Sequence, residues 1–464
     1  MESSLERTRM KKKICIVGLG PAGIGAALTF AKSTCAKDVL CVDAGSYPNE
    51  RRCLALKSQS CEREKSCQVI SGFGGCSLIS GGKVSAYPAG KSLSRILGSE
   101  ELARAALKKA LVVLGQYLQL EKPKVLGKDI EEAKKMFGEM GFDFRYYDAF
   151  LLNQAELYKA YERVIIQLKS SGMSLSMNSE LTRIRKKNSG FELTFKQAGT
   201  TQNIEAEYLI LGMGRLGRRL IRKVNADLKL QGEENFIDVG VRLEFPTNIF
   251  PDILKYHNDL KLVFGNARTF CVCKEGRIVQ YFIEGLCCTE GFCSNDEKTG
   301  LTNLGIIVRF NSQSRGDALF KEIKHKMLLL SKDRIVHQNF LDYLNQAAKQ
   351  SATNSAENPR LPCVDGDVNA CFPESISDEI RKAVAYFVNR MFPKETWNEI
   401  SVFAPEIDYG GLQFQVNADF SVIPKLHIIG DGTGKFRGIL QSFSSGITCA
   451  EHIVGEVCEK GKQE

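Results

Sequence analysis

"KKKICIVGLGPAGIGAALTFAKSTCAKDVLCVDAG", residues 11–45, decides the fold. The apolar run Ile14 to Val17 reads as a buried strand, and Gly18, Gly20 and Gly23 follow it in a G-x-G-x-x-G pattern. Pro21 and Ala22 then open a helix whose Ala22, Ala26, Ala27 and Leu28 can face a sheet, and a second apolar strand, Val39 to Val42, ends at Asp43. In such a unit Gly18 permits the tight turn, Gly20 lets a pyrophosphate approach the backbone, and Gly23 lets helix and strand come close. Helix-end amides hold the phosphates, and the acid beyond the second strand is placed to bind a ribose hydroxyl. With strand, helix, strand and terminal acid all in place, the spacing predicts a dinucleotide-binding βαβ unit rather than a merely structural turn.

The 464-residue chain has room for two or three units, which need not be contiguous. A hydrophobic content of 43% with 25% charged residues is that of an ordinary globular protein, and no apolar run is long enough to span a bilayer. "MESSLERTRMKKK" at the start lacks the apolar core of a secretory signal, so a cytoplasmic location is expected. The formal charge of +9 is spread along the chain, which suits an acidic ligand and does not imply nucleic acid. Sixteen cysteines then read as reduced thiols. Five of them, Cys271, Cys273, Cys287, Cys288 and Cys293, fall in one stretch without the paired C-x2-C spacing of a zinc site, so no metal is expected. Cys53, Cys61 and Cys67 are treated in the same way.

Helical periodicity marks "EELARAALKKALVVLGQYL" and "NQAELYKAYERVIIQLKSSG", and "FELTFKQAG" followed by "NIEAEYLILGMGRLG" reads as strand, turn and apolar strand. Gly212, Gly214 and Gly217 repeat the G-x-G-x-x-G pattern. They mark either a nicotinamide site or the turn by which the chain leaves its first domain; the polar segment that follows favours the second. Strands in "IDVGVRLEF", "RTFCVCKEGRIVQYFIEGLC" and "LGIIVRF" precede helices around 317–330 and 376–391, and "NQAAKQSATNSAENPRLP" reads as a surface loop. Near the end, "KLHIIGDGTGKFRGILQSFSSGITCAEHIVGEVCE", residues 425–459, gives a strand, a turn at Gly430-Asp431-Gly432, and a helix entered through Gly438 and Ile439. Phe443, Ile447, Ala450, Val454 and Val457 share one face of that helix with Ile439.

Together these blocks, with "GFGGCSLISGGK", "FAPEIDY" and "GDGTGKFRGILQSFSSGITCAE", resemble the FAD-dependent dehydrogenases within the glutathione-reductase-like flavoproteins. The resemblance covers most of the chain. It implies an α/β fold: a Rossmann-like FAD-binding domain of the glutathione-reductase type, residues 1–240 and 396–464, with an inserted mixed α+β substrate domain, residues 241–395. It implies noncovalent FAD with the glycine loop from Gly72 against it. Asp43 stands where many relatives use Glu, and an acid common in that loop before the glycine-lysine pair is missing here.

The cofactor contacts expected are therefore Gly18, Gly20, Pro21, Ala22, Gly23, Asp43, Arg52, Gly74, Gly75, Ser80, Lys83, Gly212, Gly214, Gly430, Asp431, Gly438 and Ile439. Gly72, Gly74 and Gly75 allow close backbone approach because no Cβ intervenes. Asp431 is expected to accept a hydrogen bond from the ribityl chain, and the positive end of the last helix to face the flavin pyrimidine. Lys83, Tyr409 and Arg437 are the catalytic candidates. Lys83 either stabilises negative charge on reduced flavin or substrate or is a surface lysine; Tyr409 is a proton donor or a packed ring. Arg437 binds a substrate carboxylate or a flavin phosphate, or pairs with an acid such as Glu406. His257, His325, His337, His427 and His452 sit in no motif that recommends them as bases.

The leading expectation is hydride transfer between FAD and an organic small molecule, with NADH or NADPH as a transient reductant. A flavoprotein monooxygenase or oxidase is the near alternative; a noncatalytic flavin-bound redox sensor or partner subunit is one from another class. An RNA-modifying flavoenzyme rests on net charge alone. Neither the substrate nor the oligomeric state is legible.

Overall fold

The computed structural model describes residues 10–53, 67–79, 82–250, 257–293, 298–310, 316–347 and 361–460. The opening stretch folds as strand β1 (Met10–Val17), helix α1 (Pro21–Phe30) and strand β2 (Val39–Val42). β2 lies parallel to β1, with Ile14 opposite Val39 and Val17 opposite Val42. All of β2 is buried, as a parallel strand covered on both faces must be. Thr200–Leu211 runs parallel to β1 on its other side, Leu426–Ile428 runs parallel beyond it, and Ser174–Ser176 extends the sheet past β2.

One face of this sheet carries Ile14, Ile16 and Cys41 under α1 and the last helix, Ile439–Lys460. The other carries Cys15, Val17, Leu40 and Val42 against the hairpin Ser179–Lys187/Gly190–Gln197 and the helix Arg218–Leu228. α1 and the last helix cross at two glycines: a Cβ on Gly25 would lie 2.3 Å from the Phe443 carbonyl oxygen, and one on Gly446 1.9 Å from that of Ala22. This backbone contact fastens the two distant glycine turns of the sequence to each other.

The second G-x-G-x-x-G does not build another βαβ unit. Gly214–Gly217 is a short 3-10 turn into Arg218–Leu228, and the next long strand, Ile237–Pro246, joins a different, largely antiparallel sheet. The two turns approach closely because Gly18 has no side chain: a Cβ there would meet the Gly212 carbonyl oxygen at 2.5 Å. The strand and turn that leave the first domain are thus what this motif makes.

The second sheet has eight strands in the order Cys363–Asp365, Ile335–Asn339, Ser401–Tyr409, Ile237–Pro246, Leu301–Phe310, Ala267–Cys273, Leu262–Phe264 and Asp143–Phe144. Ser401–Tyr409 pairs with second-sheet strands on both sides, so the return expected at 396 comes only after Tyr409. Inside the sheet Arg242 and Glu406, both fully buried, form a two-bond pair at 2.8 and 2.9 Å. Asn303 accepts from the same guanidinium, and Thr289 donates to Glu406. The helices expected by periodicity appear as Glu100–Gly115, Gln154–Ser170, Gly316–Ser331 and Glu374–Met391. Most of the polar loop expected at 345–362 lies outside the described residues. No helix among the described residues is long and apolar enough to cross a membrane.

Candidate functional site

The first turn is built by hydrogen bonds that carry no information about ligand. Asp43 takes the backbone N–H of Leu19 at 2.7 Å, of Gly45 at 2.8 Å and of Gly72 at 2.9 Å. It therefore ties the βαβ turn to the glycine loop as well as lining the cavity described below. Gly74 donates its N–H to the Leu19 carbonyl, and Gly75 lies directly on Gly20. Arg51 anchors this loop, its guanidinium donating to the carbonyls of Gln68, Val69, Phe73 and Gly75, while Arg52, the expected cofactor contact, is exposed and not among the residues lining the cavity described below. Burial pushes the Arg51 pKa down, opposed by Asp43.

A cavity of about 700 Å³ opens between the two sheets. Gly18, Gly20, Pro21 and Ala22 of the first turn line it, with Gly75 of the loop, Gly212 and Gly214 of the second turn, and Asp431, Gly438 and Ile439 of the last. Its size is that of a cofactor-and-substrate site. α1 begins at Gly20 with no side-chain cap and no acid in its first turn, leaving amides and the positive helix end for an anion. Two cavity residues hold buried polar atoms that no protein group satisfies, Arg437 Nη2 and Gln441 Oε1. An uncapped helix end, a glycine floor and orphaned polar atoms fit FAD.

A charged cluster from the short strand Lys83–Ser85 and from the loops around Tyr147 and Asp259 lines the cavity opposite these turns. Lys83 is buried and donates to Asp259 at 3.1 Å and to the Val272 carbonyl at 2.5 Å. Tyr147 donates its hydroxyl to the other Asp259 oxygen at 2.7 Å, and the Asp259 N–H donates to His257 Nδ1 at 2.8 Å. Burial alone would raise the Asp259 carboxyl; Lys83, Tyr147 and His257 outweigh it and hold it at about 2. Burial likewise pushes His257 down to about 4, so this histidine is neutral and positions Asp259. Asp259→Asn should destabilise the protein by about 2 kcal/mol at neutral pH, since the depressed carboxylate stabilises the fold fully above its unfolded pKa near 4. That contribution is lost as pH falls toward 2, so urea melts of parent and variant should converge there; an undiminished gap would contradict the assignment.

Arg437 lies on the cavity and pairs with Asp408 and, at 3.3 Å, with Asp431; the Glu406 partner considered from sequence belongs to Arg242 instead. Tyr409 is not a cavity residue: its hydroxyl donates to Glu234 and accepts from Arg222, both at 2.7 Å, and Arg218 stacks on its ring. This strand's alternation turns it away from the cleft. Gly23 and Gly430 serve backbone contacts, a Cβ on Gly23 falling 1.8 Å from the Gly18 carbonyl oxygen and one on Gly430 2.8 Å from Ala22 Cβ. Gly74 faces Tyr161, and Ser80 lies outside the described residues. Several cavity residues went unread in the sequence, Arg215, Glu290 and Lys261 among them. Arg215 pairs with Glu290 at 2.8 Å, and Lys261 has no ion-pair partner among the described residues. Burial, with Arg268 beside it, brings the Lys261 amine down to about 7. Arg215 lies within the second glycine motif, whose variable positions carry no signal, and Glu290 and Lys261 sit in no motif, so only the fold reveals them. Among the described residues no group of three or more His, Cys, Asp or Glu side chains is arranged to hold a metal.

Residues 237–396 match the family described as FAD-dependent protein, C-terminal domain-like. That match and the cavity agree with the sequence expectation of FAD and of an FAD-dependent oxidoreductase. No curated protein matches this chain. Among solved structures it is similar to a flavoprotein/dehydrogenase from Cytophaga hutchinsonii, at 12% identity over 97% of this chain and 79% of that one, TM-score 0.42. It is also similar to p-nitrophenol 4-monooxygenase from Pseudomonas putida, at 12% identity over 98% and 81%, TM-score 0.40. A third is the substrate-free rebeccamycin biosynthetic enzyme, at 12% identity over 97% of this chain, TM-score 0.38; the chain spans 64% of that protein's length. TM-scores below 0.5 at such identity carry no information about the reaction.

Proposed function

We propose that this protein is an FAD-dependent oxidoreductase acting on an organic small molecule held between the two sheets. One observation supports it above others: the Gly20 turn and the Asp431–Ile439 turn, far apart in sequence, line the same cavity. When bound, FAD supplies two-electron redox chemistry, and the chain's residues bind, orient and exclude water. Gly20 and the α1 amides hold the diphosphate, Arg437 offers a free N–H beside Asp431, and the buried Lys83–Asp259 pair, net neutral, fixes a donor and an acceptor on the wall. Lys261, unpaired and titrating near neutrality, is the group suited to move a proton at its Nζ on the substrate side.

Two branches remain within this reading. They are the hydride-transfer dehydrogenase and the monooxygenase or oxidase, and the way the reduced flavin is reoxidised separates them. Purified protein is expected to be yellow and to bleach with NADH or NADPH under nitrogen. Rapid reoxidation by oxygen that inserts oxygen into a metabolite supports the monooxygenase branch; reoxidation only by an organic acceptor supports the dehydrogenase. Protein purified without flavin and unable to bind added FAD would refute both.

A further inference from the structure

Outside the cofactor turns, one cluster at the cavity wall is not used by the function above. Ala267–Cys273 carries a register shift between Phe270 and Cys273, and Cys271 within it has φ +46°, a left-handed conformation rare for a residue with a Cβ. Such strain persists only where the surroundings enforce it, and it collects at functional sites. Here it sets the Cys271 and Cys273 sulfurs 3.9 Å apart. Cys271 lines the cavity, Cys273 is fully buried behind it, and the Lys83 ammonium lies 3.8 Å from the Cys273 sulfur. A third thiol, Cys293, is close by: the Cβ atoms of Cys273 and Cys293 flank Gly276 at 3.0 and 3.1 Å from the position its own Cβ would take. Gly291 keeps the space over the Cys273 sulfur open, since a Cβ there would fall 2.7 Å from it.

We infer that Cys271 and Cys273 form a redox-active pair that exchanges two electrons with the flavin, an inference that rests on the FAD reading above. In the oxidising direction both S–H bonds break, one S–S bond forms, and two electrons and two protons pass to oxidised flavin; the reverse step restores both thiols. Closing the bond needs the sulfurs to approach from van der Waals contact to about 2.05 Å, a side-chain rotation rather than a rearrangement of the sheet. Contact with Cys273 and then burial raise the Cys271 thiol, and burial raises that of Cys273, so both sulfurs of the pair rest as thiols, opposed by the nearby ammonium of Lys83. Its cationic charge and the S–H of Cys273 pull the Cys293 thiol below its ordinary range, with Cys273 the larger influence, so the cluster's first negative charge sits at its buried end. Cys271, facing the cavity, is left as the sulfur that meets the cofactor.

An anaerobic reductive titration tests this directly on holoprotein first oxidised with diamide and desalted. The disulfide and FAD are each two-electron couples, so the parent should consume four electrons per FAD and C271S/C273S only two. The oxidised parent's peptide containing both residues should resist alkylation and be two hydrogens lighter than the dithiol form. C293S should still take four. Yellow parent protein that takes two electrons, with both thiols alkylated, would overturn the pair while leaving the FAD reading intact. A link from Cys273 to Cys293 would overturn it as well. Colourless protein would instead strike at the FAD reading, and the peptide map would still decide whether the two sulfurs join. If C271S/C273S does not fold, C271S alone must lose the extra two electrons.

Discussion

Gly20→Val is expected to give protein that is folded and colourless. The two properties separate because of where the new atoms go. A Cβ on Gly20 would have as its nearest neighbour the Gly75 Cα at 3.8 Å, an ordinary contact, and Gly20 has φ −71° and ψ −174°, which any residue adopts. The polypeptide therefore accepts the change, whereas the valine methyls project over the uncapped end of α1 where the diphosphate would sit. Affinity for FAD should fall by at least about a hundredfold, the scale of losing helix-end hydrogen bonds to a charged group. Circular dichroism should be unchanged. Gly23→Ala is the contrasting case: its Cβ would strike the Gly18 carbonyl oxygen at 1.8 Å, and this variant should lose stability before it loses cofactor. A yellow Gly20→Val protein with parental affinity would show that the turn does not hold the diphosphate.

Glu406→Ala should lower the free energy of unfolding by about 3–5 kcal/mol, the cost of leaving one charge of a buried pair alone. Arg242 is entirely buried, and its remaining contacts, Asn303 and the Cys271 carbonyl, are neutral acceptors. The pair links two adjacent strands of the second sheet, and Thr289 of the hairpin Leu286–Phe292 adds its hydroxyl, so the loss should appear as a lower urea midpoint at unchanged slope. Replacing both partners, as Arg242→Met with Glu406→Leu, should cost less than the single change, because no charge is stranded. A single variant within about 1 kcal/mol of the parent would refute a structural role for the pair.

The sequence shows clearly what depends on short spacing. Gly18, Gly20 and Gly23, the buried strand β2 and the amphipathic last helix are each set by neighbours within a few turns, and all appear where the spacing puts them. The glycine loop from Gly72, read from the sequence as a cofactor-contacting loop, packs against Gly20 through Gly75, since a run of glycines allows close approach. Long-range partners were not legible. Lys83 meets Asp259 across 176 positions and Arg242 meets Glu406 across 164, and antiparallel register between distant strands leaves no mark in local pattern. For the same reason Ser401–Tyr409 reads as the start of the returning domain although it lies in the middle of the second sheet. Tyr409 fails as a cavity residue on orientation, its hydroxyl turned to Glu234, which single-residue parity along a strand decides and local pattern does not show.

Calorimetric titration of the flavin-free protein with FAD, for the parent, Gly20→Val and Asp431→Ala, bears most directly on the convergence of the two turns. One FAD per chain, with both substitutions weakening that same site, is the expected result. Two independent sites, or parental affinity in either variant, would mean that the turns near the two ends of the chain do not hold one molecule.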